Sequence, residues 1–414
     1  MGAMVYRRHS CRLCEGSDLT LVLQLTPTPP VDAYVPAAKV HETQEVYPLD
    51  LFLCRSCGHV QLLDVVHPDL LFGNYIYETS SSPGLVEHFR QYANEVLPLV
   101  REPRNALVVE IGSNDGTLLR FFREGGMRVL GVDPAREIAE RANELGLETL
   151  SSFFTCGLAR EIRPQYGAAT LVCANNVFAH ADNLADMADG VRHLLAPDGL
   201  FVFEVSYILD MIENMVFDFI YHEHLCHHSV KPLRTFLSRH GMELLDVQRI
   251  PEKGGSLRGV AQLAGGPRKP SLTVEELITL EESRGLDRPE IFESWARKIA
   301  TTQRQITALL DELKREGKNG AGYGASATTT VLLYHFHLAD YLGYIVDDNS
   351  SRQNLFSPGH HIPVVSPQAI YERKPDYLVI LAWRFAGMIM SRHTTYLRQG
   401  GKFIVPLPKV EMRQ

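Results

Sequence analysis

The sequence predicts an α/β chain: two Rossmann-like units in series behind a small four-cysteine unit. Three observations carry that expectation. Two CxxC pairs, Cys11 with Cys14 and Cys54 with Cys57, lie near the N-terminus. Two glycine-rich turns each open a helical stretch, one ending the apolar run ALVVEIGSNDG at 106–116 and the other in NGAGYGASATTT at 319–330. Each is followed by a further apolar run ending in acid, at Asp133 and at Asp347 with Asp348. At about 150 residues per domain, 414 residues allow two or three units. The expected boundaries are 1–70, 71–270 and 271–414.

Seven cysteines suit no disulfide framework, but two CxxC turns can present four thiolates tetrahedrally to Zn²⁺. Gly58, just after Cys57, is the small residue that a metal knuckle uses for its backbone turn. The 39 residues between the pairs exceed a ribbon's usual spacing, so a loop around Pro27, Pro29 and Pro30 and a returning strand from Tyr47 to Cys54 are expected between them. Four cysteines leave no open position, so the zinc is expected to be structural. Two unrelated pairs of reduced thiols are the alternative. A thioredoxin-like redox site is disfavoured, because neither pair joins a strand to a helix of a βαβ unit.

The middle unit begins with the strand that ends in Glu110, Ile111 and Gly112. The helical TLLRFFREGG follows, then the strand MRVLGVDPA, whose Asp133 lies 21 residues past Gly112. That is where a ribose-binding carboxylate belongs, although E-I-G-S-N-D-G is not the dinucleotide fingerprint. The turn argues against NAD and suits S-adenosylmethionine. LETLSSFF reads as a third strand and ATLVCANNVFAH as a fourth, ending in Asn175, Asn176 and His180. A helix over ADNLADMADGVRHLL, an APDG turn and the strand LFVFEVSY follow, and MELLDVQRI and SLRGVAQLA close the set.

Between the fifth strand and the last pair, FDFIYHEHLCHHS packs Tyr221, His222, Glu223, His224, His227 and His228 into eight positions. These groups move protons near neutral pH. A solvated loop or a second metal site are the alternatives, though H-E-H lacks the i, i+4 spacing of a zinc helix.

In the last unit, TVEELITLEESRGLD and the long stretch IFESWARKIATTQRQITALLDELKREG form a helical bridge. Gly322, Gly324 and Ala327 then stand in G-x-G-x-x-A order, and YLGYIVDDN, YLVILAW and KFIVPLP supply strands. Alone, this fingerprint suggests dinucleotide binding or a degenerate domain that binds nothing.

Composition narrows the function classes. Hydrophobic residues make up 45% and charged residues 22%, as in ordinary soluble proteins. A net charge of −8 from 41 basic and 49 acidic residues, with no basic run, argues against nucleic acid. No apolar stretch reaches the roughly 18 to 20 residues that span a bilayer, and no apolar core follows the basic residues of MGAMVYRRHS. A cytoplasmic monomer without nucleic-acid or membrane partners is expected.

Taken together, CRLC, CRSCGH, NYIYETSSS, VVEIGSNDG, GVDP, NNVFAH, IYHEH, GYGASATTT and VDDN resemble the S-adenosylmethionine-dependent C-methyltransferases of TDP-linked 4-ketohexoses in antibiotic deoxysugar pathways. IYHEH joined to GYGAS and VDDN is the most discriminating combination, and the resemblance runs over essentially the whole chain. It implies a zinc-binding N-terminal domain, a Rossmann-like methyltransferase domain and a Rossmann-like C-terminal domain holding the nucleotide sugar. It places Tyr221, Glu223, His224, His180 and Tyr75 in the active site, with Tyr77 competing for the place of Tyr75.

The same resemblance makes Glu110, Gly112, Ser113, Asp133, Pro134 and Asn175 the expected holders of S-adenosylmethionine. His222, Gly322, Gly324, Ala325, Ser326, Asp347 and Asp348 are expected at the TDP-sugar. His224 is expected to remove the proton beside the ketone, oriented by a hydrogen bond to Glu223, with Tyr221 or Tyr75 donating to the enolate oxygen. C3 of a 3-amino-4-keto sugar is favoured. C5 methylation, O- or N-methylation of a sugar nucleotide, and NAD(P) oxidoreduction stay open at this point.

Overall fold

The computed structural model describes residues 4–72 and 78–414. Three principal sheets organise them. The middle sheet has seven strands. Numbered along the chain they are Leu107–Ile111, Arg128–Asp133, Thr149–Ser151, Ala169–Asn175, Leu195–Ser206, Met242–Ile250 and Ser256–Leu263. Their spatial order is 3-2-1-4-5-7-6, with the seventh alone running antiparallel to its neighbours. The parallel strands Leu107–Ile111 and Ala169–Asn175 are mostly apolar and almost wholly buried, as strands covered on both faces are. The strand order reverses at Leu107–Ile111, and the crevice above such a reversal is where ligands bind in open α/β sheets.

The APDG turn expected before the fifth strand is part of it. Pairing passes from Ala169–Leu195 to Leu171–Leu200, so the extra residues are taken up as a bulge.

The C-terminal sheet has six strands, in the order Val364–Val365, Ile345–Val346, Gly320–Tyr323, Tyr377–Ile380, Lys402–Val405 and Glu411–Arg413. All pair in parallel except the last. Here the order reverses at Gly320–Tyr323. The bridge consists of the helices Thr273–Ser283 and Pro289–Arg315, the latter burying Phe292, Trp295 and Ile299 along one stripe.

The N-terminal sheet pairs Leu19–Thr28 with Tyr47–Cys54 and the latter with Val60–Leu62. Its fourth strand is Cys226–His227, from just beyond the YHEH segment. The N-terminal region also reaches the far end of the chain, where Val35–Pro36 pairs with Leu355–Phe356 and Arg352 meets Asp32 at 2.9 Å. It therefore pairs with a segment of each of the two larger units.

Candidate active site

The four cysteine sulfurs lie within 4.8 Å of one another, Cys11 to Cys57 at 3.7 Å and Cys14 to Cys54 at 3.5 Å. Four thiolates about 2.3 Å from a tetrahedral Zn²⁺ stand about 3.8 Å apart, so the cluster fits that ion. Gly58 adopts the left-handed φ of +81° that the second knuckle turn requires, and its N–H donates to the Cys54 carbonyl.

Both glycine turns open onto one cleft of about 1870 Å³. On the middle-sheet side, Gly112 has φ +68°, and a Cβ there would meet Val177 at 2.8 Å. All six expected S-adenosylmethionine residues line this wall. Several offer buried polar atoms without a protein partner: Glu110 Oε2, Ser113 Oγ, and both amide atoms of Asn175. A ligand carrying an ammonium group and ribose hydroxyls would satisfy such groups, so the wall fits S-adenosylmethionine. Burial, reinforced by Asp115 and Asp133, holds the Glu110 carboxyl well above the usual range. Asp133 accepts the N–H groups of Asn114 and Ala135 at 2.8 and 2.9 Å, so it also braces the turn.

On the C-terminal side, Gly324 (φ +105°), Ala325, Ser326, Asp347 and Asp348 line the cleft. Ser326 caps the helix Ala327–His335, sharing a capping box with Thr329. Asp347 accepts the Ala325 N–H and, at 2.7 Å, the Asn349 N–H, repeating the bracing seen at Asp133. Gly322 is not in the turn. It sits inside the strand Gly320–Tyr323, where a Cβ would meet Leu381 and Ile345, so its role is close packing of the sheet.

The YHEH segment forms a β-turn, with the His224 N–H donating to the Tyr221 carbonyl at 2.8 Å. A four-residue turn brings its first and last side chains together and sends the middle two elsewhere. The Tyr221 and His224 rings accordingly stand 4.1 Å apart by centroid, and His180 reaches the same spot, 5.0 Å from His224. His222 turns away, its Nε2 3.2 Å from the Tyr47 carbonyl, and does not line the cleft. Glu223 points into the cleft toward Asp32 and Arg352.

The expected Glu223–His224 hydrogen bond gives way to another. His224 Nδ1–H donates to the Phe219 carbonyl at 2.6 Å, because adjacent residues of the turn diverge. Burial pushes His224 down to about 4, so its ring is neutral at working pH with Nε2 as the basic nitrogen. Burial, with Asp32 adding to it, pushes Glu223 up to about 8. Tyr221 is raised well above its ordinary value by burial and by Glu223, and stays protonated. Tyr75 and its competitor Tyr77 lie outside the described residues.

Sequence reasoning missed the cations of the cleft, Lys253 and Arg384 among them. Lys253, from the hairpin between the last two middle strands, sits at a left-handed φ of +58°. Burial lowers its ammonium to about 8, with Glu204 and Glu223 opposing, and its charge bears on His180 and His224. Its one signal was E-K-G-G, a charge set in a glycine-rich turn. Arg384 follows the strand Tyr377–Ile380, where the rule that ligands bind beyond strand ends could have marked it.

No helix among the described residues is long and apolar enough to cross a membrane. Three domain families match the chain: a zinc binding domain over 11–72, a methyltransferase domain over 86–247, and a C-methyltransferase C-terminal domain over 251–408. The chain is 34% identical over 400 residues to C-methyltransferase NovU of Streptomyces niveus, covering 96% of this chain and 95% of that protein. Two solved structures overlap with the chain more loosely. Magnesium protoporphyrin IX methyltransferase (ChlM) of Synechocystis PCC 6803 is 15% identical, with 46% of this chain and 90% of that one covered at a TM-score of 0.35. The CcbJ methyltransferase of Streptomyces caelestis is 13% identical, with 47% and 94% covered at the same score. Likenesses this weak carry no argument.

Proposed function

The chain belongs to the C-methyltransferase family, and from that premise we propose what it methylates and how. It is an S-adenosylmethionine-dependent C-methyltransferase, which sets aside the O-methyl, N-methyl and oxidoreductase alternatives. The substrate in this reading is a TDP-linked 4-keto deoxysugar of antibiotic biosynthesis, methylated beside the ketone, with C3 of a 3-amino-4-keto hexose favoured. Residues 1–70 bind structural zinc, 71–270 the methyl donor and 271–414 the nucleotide sugar. The diphosphate lies at the Ser326 turn, where backbone N–H groups begin the helix Ala327–His335.

One observation carries the reading. A neutral, pinned His224 stands beside Tyr221 and His180 in the single cleft that both glycine turns share. A carbon next to a ketone becomes nucleophilic only after losing a proton. His224 takes that proton at Nε2, since the Phe219 carbonyl commits the other nitrogen as donor. Tyr221, kept protonated, donates to the developing enolate oxygen, and Lys253 adds positive charge nearby. Glu223, largely protonated at neutral pH, holds the sugar as a hydrogen-bond donor, and His180 passes the proton outward. Glu110, Ser113, Asp133 and Asn175 hold S-adenosylmethionine, which supplies the electrophilic methyl group that the enolate carbon takes.

The test is deuterium uptake from D₂O at the carbon beside the ketone of a TDP-3-amino-4-keto hexose. Wild type washes deuterium in; His224→Asn slows uptake and turnover by about 10³-fold while S-adenosylhomocysteine affinity holds. Uptake unchanged in that variant reassigns the base, and failure of TDP to bind wild type removes the nucleotide sugar.

A further inference from the structure

Arg384 meets two segments that are far apart in sequence, the turn at Asp218 and Phe219 and the helix start at Thr328. Its Nη1 pairs with both carboxylate oxygens of Asp218 at 3.1 and 3.2 Å, and Asp218 is fully buried. Trp383 Nε1–H donates to the same carboxylate at 2.9 Å. The Nη2 of Arg384 lies 3.4 Å from the Thr328 hydroxyl, in the first turn of the helix Ala327–His335. The guanidinium carbon stands 4.4 Å from the centroid of the Phe219 ring.

Phe219 is the residue whose carbonyl accepts the His224 Nδ1–H, and its ring stacks with the His224 ring at 5.8 Å. Asp218 and Phe219 are consecutive in the short 3-10 turn Phe217–Phe219. Arg384 therefore holds that turn twice, through a charge pair on Asp218 and a face on Phe219. A third hold faces the seat assigned above to the diphosphate.

We propose that Arg384 is the positioning residue of the base: it braces the turn that fixes the tautomer of His224, and it draws on the substrate's diphosphate to do so. The proposal rests on the nucleotide-sugar reading. Anion binding at Thr328 recruits the Nη2 face, tightens the guanidinium on Phe219, and sharpens the Nδ1–H tautomer whose free Nε2 takes the proton. A diphosphate-bearing substrate thereby tightens its own base, and a sugar lacking the nucleotide leaves the turn with only its holds at Asp218 and Phe219.

The test combines calorimetry with the ring nitrogen-15 signals of His224, identified by their loss in His224→Asn. In wild type the ring is in the Nδ1–H tautomer already, and TDP alone moves the Nδ1 signal downfield as the bond to the Phe219 carbonyl tightens. Arg384→Gln weakens TDP by about tenfold, one charge-assisted contact, keeps S-adenosylhomocysteine affinity, and leaves His224 a tautomer mixture that TDP no longer shifts. Phe219→Leu keeps the Arg384–Asp218 pair, so it guards against misfolding of the first variant. It retains TDP affinity to within about threefold yet loses the response at His224.

TDP binding to wild type without moving His224, or a response intact in either variant, overturns the coupling and leaves the nucleotide-sugar reading standing. Absence of TDP binding to wild type overturns both.

Discussion

The two glycine turns hold equivalent places in their sheets, yet the charged groups beside them differ. Each follows the strand at which its sheet reverses order, and each is braced by the acid that ends the next strand, Asp133 on Asn114 and Asp347 on Ala325. There the likeness stops. The first turn is surrounded by Glu110, Asp115 and Asp133, whereas the second sets Arg352 and Arg384, with Ser326 and Thr328, beside its acids Asp347 and Asp348. An acidic pocket suits a ligand with a sulfonium and an ammonium group; hydroxyls and guanidinium groups suit a diphosphate. Topology decides where a ligand binds, and side-chain charge decides which one.

The most severe way to break the comparison is to remove what both turns share. Cys54→Ser takes one ligand from the sulfur cluster, whose zinc contributes folding free energy on the order of 10 kcal/mol. Binding of S-adenosylhomocysteine and TDP should disappear together, with near-ultraviolet circular dichroism lost. Metal analysis of wild type should find about one zinc per chain. Selective loss of one ligand would show that the N-terminal unit serves only one turn.

Swapping the glycines separates the turns. Gly324→Val puts a Cβ 2.5 Å from that of Ala382 and should weaken TDP at least about tenfold without disturbing S-adenosylhomocysteine. Gly112→Val, against Val177, should do the reverse; calorimetry that finds the pattern crossed would exchange the two roles. Glu110→Gln probes the carboxyl's ability to give up its proton beside a cationic ligand. It should lower S-adenosylhomocysteine affinity by about tenfold and leave TDP within about twofold.

The smallest effect is in pH. A buried histidine lowered to about 4 is already a free base at pH 6, where one at 6.5 is mostly protonated. Activity should therefore change by less than about twofold between pH 6 and 7.5. It should fall only above about 8, where Glu223 and Lys253 both lose protons, and Glu223→Gln should shrink that alkaline limb to the share of Lys253. An acid limb centred at 6.5 would mean that His224 is solvated.

Much of the fold was legible because its signals are local. Apolar runs ending in glycine and acid located most of the parallel strands, and CxxC spacing located the sulfur cluster. Gly322 misled because G-x-G reads alike in a turn and in a closely packed strand. His222 misled because adjacency in sequence does not survive a β-turn. Of the candidate site, the clustering of Tyr221, His180 and His224 was legible. The Phe219 carbonyl was not, since every residue has one and only the chain's path aims it. Lys253 and Arg384 reach the cleft from distant segments, and no spacing rule links them to His224.

The sheet that completes itself with Cys226–His227 bears on how the chain folds as it is made. Val60–Leu62 has paired with Tyr47–Cys54 long before its other neighbour exists. Until residue 227 leaves the ribosome, that edge stands as a row of unpaired N–H and C=O groups beside the cysteine knuckles. The cysteines are synthesised early, but the sheet next to them closes late. Translation must pass through most of the middle unit first, so the long-range pairing that closes the sheet waits for the segment that carries the YHEH turn.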